Sequence, residues 1–134
     1  MALKLENPAS VAPPLGRYSH VVEVPAGSGL VFVSGQVPVA PDGTIADSLA
    51  EQADQVYANL VAVLAAKGIP PSSIVKLQTF VTEDDPHGVV RRAREKYLGE
   101  HRPASTAVEV RRLVDPRWKI EIDAVALSVQ PAAR

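Results

Sequence analysis

Apolar residues recur along this chain in two rhythms, and the rhythms divide it into elements. Leu49, Ala53, Val56, Leu60 and Val63 or Leu64 are spaced three or four apart, which puts them on one stripe of a helix. Ser48 with Glu51 forms a capping box at its start, Gly68 stops it, and Lys67 places a cation in its last turn. Val90, Ala93 and Tyr97 give the buried face of a second helix, opened by Asp84-Asp85-Pro86 and ended by Gly99. Elsewhere the period is two. Ile120, Ile122, Ala124 and Ala126 alternate with Glu121, Asp123, Val125 and Leu127, and Leu77, Thr79 and Val81 alternate with Gln78 and Phe80. Both stretches predict strands, over 120–127 and 74–82. Leu30-Val31-Phe32-Val33 does not alternate at all, which predicts a strand buried on both faces. Short strands are expected over 21–24 and 106–110.

Turn chemistry fills the gaps. Pro25, Gly27, Ser28 and Gly29 predict a hairpin between the first two strands, Pro41-Asp42-Gly43 a tight turn, and Pro70 to Ser73 a break. The first fourteen residues, rich in Pro and Ala, read as an irregular arm. The order is β-β-α-β-α-β-β within a single domain over 1–134. The fold class is α+β: a mostly antiparallel sheet covered on one face by two helices. Val125, Leu127 and Val129 then need cover on the other face, which no third helix supplies. Self-association is the simplest source of it.

Composition narrows the chemistry. No apolar stretch approaches the ~20 residues needed to cross a bilayer, and Met1–Ser10 lacks the pattern of a signal peptide. A cytoplasmic protein without a membrane partner is expected. The absence of cysteine excludes disulfides, thiolate zinc sites and cysteine nucleophiles. His20, His87 and His101 form no ligand-spaced pair, so no metal is expected. Gly27 and Gly29 precede no helix and make no phosphate loop, and Ser34 in Val33-Ser34-Gly35-Gln36 is not a nucleophile elbow. A net charge of −1 and 4% aromatic residues provide neither the field nor the stacking platform for nucleic acid. The charge is nevertheless uneven. Residues 1–86 hold four Lys/Arg against nine Asp/Glu, a balance of −5, and residues 87–134 hold ten against six, or +4. The basic half reads as solvated surface, or as a site for a small anion or a complementary subunit contact.

One carboxylate stands out. Glu121 lies between two isoleucines that point to the opposite sheet face. If its own face is covered, burial raises its pKa unless a partner offsets it, and such a group is suited to general acid–base work. A solvated or salt-bridged glutamate is the plainer reading of the same pattern.

Several segments together carry a resemblance. They are Gly16-Arg17-Tyr18-Ser19, Val33-Ser34-Gly35-Gln36-Val37-Pro38 with Gly43, Gln52 and Asn59-Leu60 on the first helix, Gly68, Val75-Lys76, Thr79-Phe80-Val81-Thr82, Pro103-Ala104-Ser105-Thr106 and Ile120-Glu121-Ile122. Their order and spacing, from about residue 13 to 128, resemble the Rid (YjgF) family of imine and enamine deaminases. The resemblance implies a chorismate-mutase-like homotrimer with sites in clefts between subunits. It implies hydrolysis of small reactive imines or enamines to a carbonyl compound and ammonia, without a cofactor. It assigns Glu121 and Tyr18 as catalytic, and Ser34, Gly35 and the 105 position as substrate-binding. Ser105 stands where deaminating members carry an arginine. A hydroxyl lacks the charge and the planar fork that pair with a carboxylate. Either another cation compensates, Arg17 or Arg91 being candidates, or the substrate differs. An imine hydrolase with altered substrate choice is therefore the leading expectation. A non-catalytic protein binding a small ligand is the alternative, and a ribonuclease ranks last.

Overall fold

The computed structural model describes residues 3–128. Val129, named above as an apolar position needing cover, lies outside them. The main sheet has four strands in the order β3-β6-β4-β5: β3 (Leu30–Gln36), β4 (Ile74–Val81), β5 (Ala104–Glu109) and β6 (Ile120–Leu127). β6 runs antiparallel to both β3 and β4, while β4 and β5 are parallel. The parallel step follows from the crossover through α2 (Val89–Leu98), because parallel neighbours need such a connection. Both α2 and α1 (Leu49–Ala65) cover the same face. Buried Val56, Tyr57, Leu60 and Leu64 of α1 and Ala93 and Leu98 of α2 share one core with Leu77, Ile120, Ile122, Ala124 and Ala126.

Four expectations need correction. The irregular arm contains β1 (Lys4–Glu6), paired antiparallel with β2 (Val21–Glu23) in a separate two-stranded sheet. Leu5 faces Val22, and Lys4 stands opposite Glu23, a favourable cross-strand charge pair. Three residues are too few to show a period. Second, the turn at Pro25–Ser28 forms, with Ser28 N–H donating to Pro25 O at 3.2 Å, but β2 pairs with β1 and β3 with β6, so no β2–β3 hairpin results. Third, the run Leu30–Val33 is not buried on both faces. β3 is an edge strand, and Phe32 is 75% and Leu30 44% exposed on the face that no helix covers. Fourth, α1 ends at Ala65, so Lys67 lies beyond its last turn. There Ile69 N–H closes back on Leu64 O at 2.9 Å, a reversal that uses Gly68 at φ +70°.

The capping box forms as the sequence predicts. Ser48 Oγ accepts from Glu51 N–H at 3.1 Å and donates to the Glu51 carboxylate at 2.8 Å. α2 starts later than Asp84-Asp85-Pro86 suggests, yet by the same chemistry: the Asp85 carboxylate accepts from Val89 N–H (2.8 Å) and Val90 N–H (3.0 Å).

Candidate functional site

β6 positions Glu121 on the open face, directly across from Phe80 of β4. On its other side the β3 ladder slips. Val33 pairs with Ala124 and Gln36 with Ile122, so Ser34 and Gly35 together stand opposite Asp123. Such a bulge re-aims the strand locally. It brings the Gly35 backbone against the Glu121 side chain so closely that a methyl group at Gly35 would overlap the carboxylate. Among the described residues no cation and no hydrogen-bond donor engages that carboxylate. Ser34 is exposed beside it, its carbonyl accepting from Gln36 Nε2 at 3.0 Å. Ser34, Gly35 and Glu121 therefore form one group.

Asp123 follows two residues along the same face, opposite Gln78. Partial burial pushes its carboxyl above the usual range, an effect opposed by Lys76, whose Nζ donates to Thr106 Oγ1 at 2.8 Å. The alternation that singled out Glu121 also placed Asp123 on this face, but sequence reasoning assigned it no role.

Arg17 and Tyr18 lie elsewhere. Arg17 Nε pairs with Glu95 at 2.7 Å, and Arg94 Nη1 donates to Arg17 O at 3.1 Å, so this segment is strapped to α2. The Tyr18 hydroxyl accepts from Leu15 N–H at 3.3 Å, and its ring meets His20 edge-on. The next residue ties the segment to the entry of β5. Ser19 N–H donates to Pro103 O at 3.2 Å and Ser19 Oγ to Arg102 O at 2.6 Å. Two residues further on, Ser105 stands in register with buried Leu77, on the helix-covered side of the sheet. Arg91 is exposed in the first turn of α2, with no polar partner among the described residues. One protomer thus separates the candidates: Ser34, Gly35 and Glu121 on the open side, Arg17, Tyr18 and the start of β5 on the helix side. Arg91 joins neither group.

Gln52 supports the first group from behind. Fully buried on α1, its Nε2 donates to Ala46 O (2.8 Å) and Arg117 O (2.9 Å), and its Oε1 accepts from Lys119 N–H (2.7 Å). It fixes the loop that leads into β6 two residues before Glu121. Sequence reading placed Gln52 in a motif without seeing this function, because its partners lie up to 67 residues away.

Open clefts of about 440 and 730 Å³ flank the 40–47 loop, and none of the candidate residues lines them. Among the described residues no cluster of His, Asp and Glu is arranged to hold a metal ion. No helix among them is long and apolar enough to cross a membrane.

Comparison with known proteins gives a consistent answer. The family model described as "Endoribonuclease L-PSP" matches residues 9–128. The 2-iminobutanoate/2-iminopropanoate deaminase of Salmonella typhimurium is 36% identical over 124 residues, 90% of this chain and 91% of that protein. Protein DfrA of Myxococcus xanthus is 36% identical over 131 residues, 96% of this chain and 98% of that one. Among solved structures, the Rid-family protein YyfB of Yersinia pestis superposes with a TM-score of 0.83 at 30% identity, covering 95% of this chain and 99% of its own. Escherichia coli TdcF with bound serine gives 0.69 at 30% identity, covering 93% and 98%.

Proposed function

From the premise that this chain belongs to the endoribonuclease L-PSP (Rid/YjgF) family, we propose that it hydrolyses small reactive imines or enamines, with a substrate choice altered by Ser105. The observation that carries this reading is the Glu121 carboxylate, uncommitted to any cation among the described residues and set against the bare backbone of Gly35. A carboxylate so placed holds a water molecule and takes its proton as the oxygen attacks the imine carbon. It delivers that proton to nitrogen to form a carbinolamine, then passes the carbinolamine's hydroxyl proton to the same nitrogen as the C–N bond breaks and the C=O bond forms, releasing ammonia and leaving the carbonyl compound. Tyr18 and Ser34 hydrogen-bond the substrate in this scheme. Glu121 and the Tyr18 segment lie on opposite sides of one sheet, which favours a site completed between two copies of the chain. No cofactor enters the scheme.

The test uses imines made in situ with an amino-acid oxidase, with ammonia release as readout. Turnover is expected, and Glu121→Gln should lower it by about 10²-fold, the scale of general acid–base contributions. A loss below about threefold in a folded Glu121→Gln protein makes the glutamate structural. Ser105 favours a second reading, a protein that binds a small ligand without turnover. Thermal stabilisation by carbonyl or amino compounds with no ammonia from any imine supports that reading. Cleavage of RNA by the purified protein overturns both.

A further inference from the structure

We propose that the β1–β2 ribbon of one copy adds to the free edge of β3 in a second copy, so that strands of two chains form one continuous sheet. The contact does not depend on whether Glu121 turns over imines. Both surfaces are unfinished in the single chain. The ribbon has three residues in each strand, and β2 hydrogen-bonds to β1 alone. Every residue of Lys4–Glu6 is exposed, and so are Val21 and Glu23 of β2. A two-stranded ribbon with so little packing is marginal in water. Two of the side chains it leaves bare, Leu5 and Val21, are apolar.

β3 offers the complementary edge. Its partner β6 lies on one side, and among the described residues no strand lies on the other. Ser128 N–H donates to Gly29 O at 3.0 Å, so Gly29 turns its polar groups to β6. In the antiparallel register that starts at Leu30↔Leu127, the N–H and C=O groups of Leu30 and Phe32 therefore point outward. Such a row is a template for another strand. The Leu30 and Phe32 side chains beside it are exposed as well.

The chain's own ribbon is too far away to fill this place. Ser19 is held to Arg102 O and Pro103 O at the entry of β5, and β5 is the edge opposite β3. A strand outside β3 would stand four spacings from β5, about 19 Å. Val21 is two residues beyond Ser19 and Glu23 four, reaches of at most about 7 and 14 Å. β5 has a free edge too, but β4 already anchors it, whereas the ribbon has no other support. The occupant is therefore the ribbon of another copy. Added antiparallel, the sense in which β6 pairs with β3, β2 directs the residues before it, Arg17 and Tyr18, toward Ser34 and Gly35 of the receiving copy. The exchange is head-to-tail, the kind of contact that builds rings.

The experiment is cross-linking between mixed copies, for which a chain without cysteine is suited. Glu23→Cys protein and affinity-tagged Leu30→Cys protein are denatured together, refolded at micromolar concentration and treated with a short bis-maleimide. A product joining a tagged to an untagged chain through positions 23 and 30 is expected. No such product, or a larger yield when Val108→Cys of β5 replaces Glu23→Cys, overturns the exchange. Hydrogen exchange gives a second readout. In the wild-type assembly the Phe32 amide should be protected. Leu30→Pro should lower that protection, and that of the β2 amides, by about tenfold or more, while Leu30→Thr leaves both unchanged. Proline is tolerated at the first residue of an edge strand, so β3 itself should survive the change. An unprotected Phe32 amide in the wild type, or equal protection in a monomer, overturns the exchange as well.

Discussion

At the scale of single residues, the candidate site rests on one close approach. The Glu121 carboxylate lies over Gly35 in space that a β-carbon there would occupy. Gly35→Ala should therefore swing Glu121 away. We expect kcat/KM for any imine substrate to fall at least about tenfold, while the core, which does not contain Gly35, stays folded. Thermal melting beside an ammonia assay separates the two effects. Wild-type activity in Gly35→Ala would show that the observed pose of Glu121 is not the working one. The sequence made Ser34, Gly35 and Glu121 legible because alternation and motif spacing are local signals. It did not reveal that Arg17 is committed to Glu95, 78 positions away, or that Gln52 braces the loop before β6. Both are long-range pairings, and a one-dimensional pattern carries no record of which distant polar group satisfies a buried or charged one.

At the scale of elements, legibility follows length and capping chemistry. α1 and β6 span 17 and 8 residues and repeat their periods several times, so their buried faces read correctly from Leu49 to Leu64 and from Ile120 to Ala126. Tyr57 is not among the positions read as the α1 stripe; it is buried with Arg94 as its partner, and burial pushes its pKa up. β1 and β2 are three residues each, below the length at which a period can be seen. The start of α2 was displaced because Asp85 caps from outside the helix, reaching over Pro86 to Gly88 to two N–H groups. That arrangement gives a test. Asp85→Ala leaves both donors without their acceptor and should cost about 1 kcal/mol of unfolding free energy, the usual scale of an N-cap. Asp84, exposed and making no such bonds, is the matched control, and Asp84→Ala should change little. Denaturant unfolding of the two variants checks it; equal losses would show general electrostatics at the helix start rather than capping.

At the scale of the whole molecule, helices cover only one side of the main sheet among the described residues. Leu30 and Phe32 of β3, Val125 and Leu127 of β6, Phe80 of β4 and Val108 of β5 share the bare face, with Lys76, Gln78, Thr106, Asp123 and Glu121 among them. Phe32 is 75% exposed there, and burying such a ring is worth about 1.5–3 kcal/mol. Further copies of the same chain are the simplest cover. A closed trimer, the assembly the family resemblance implies, would bury the ring once in each copy. It would also allow Glu121 of one copy to meet the helix-side residues of another, which lie on the opposite side of its own sheet. Phe32→Glu should therefore act twice: it places a carboxylate in each copy of the contact, shifting the assembly toward monomer at micromolar concentration, and it lowers ammonia release because the shared site comes apart. Val114→Glu supplies the control. Val114 is 83% exposed, but it stands in the loop between β5 and β6 rather than on the sheet face, so the same charge there should leave mass and turnover unchanged. Light scattering beside the ammonia assay reads both effects. A wild-type monomer at micromolar concentration would sink the assembly. A Phe32→Glu protein that remains trimeric would show that this face is not the contact, and a monomeric one with full activity would place the entire site within a single chain.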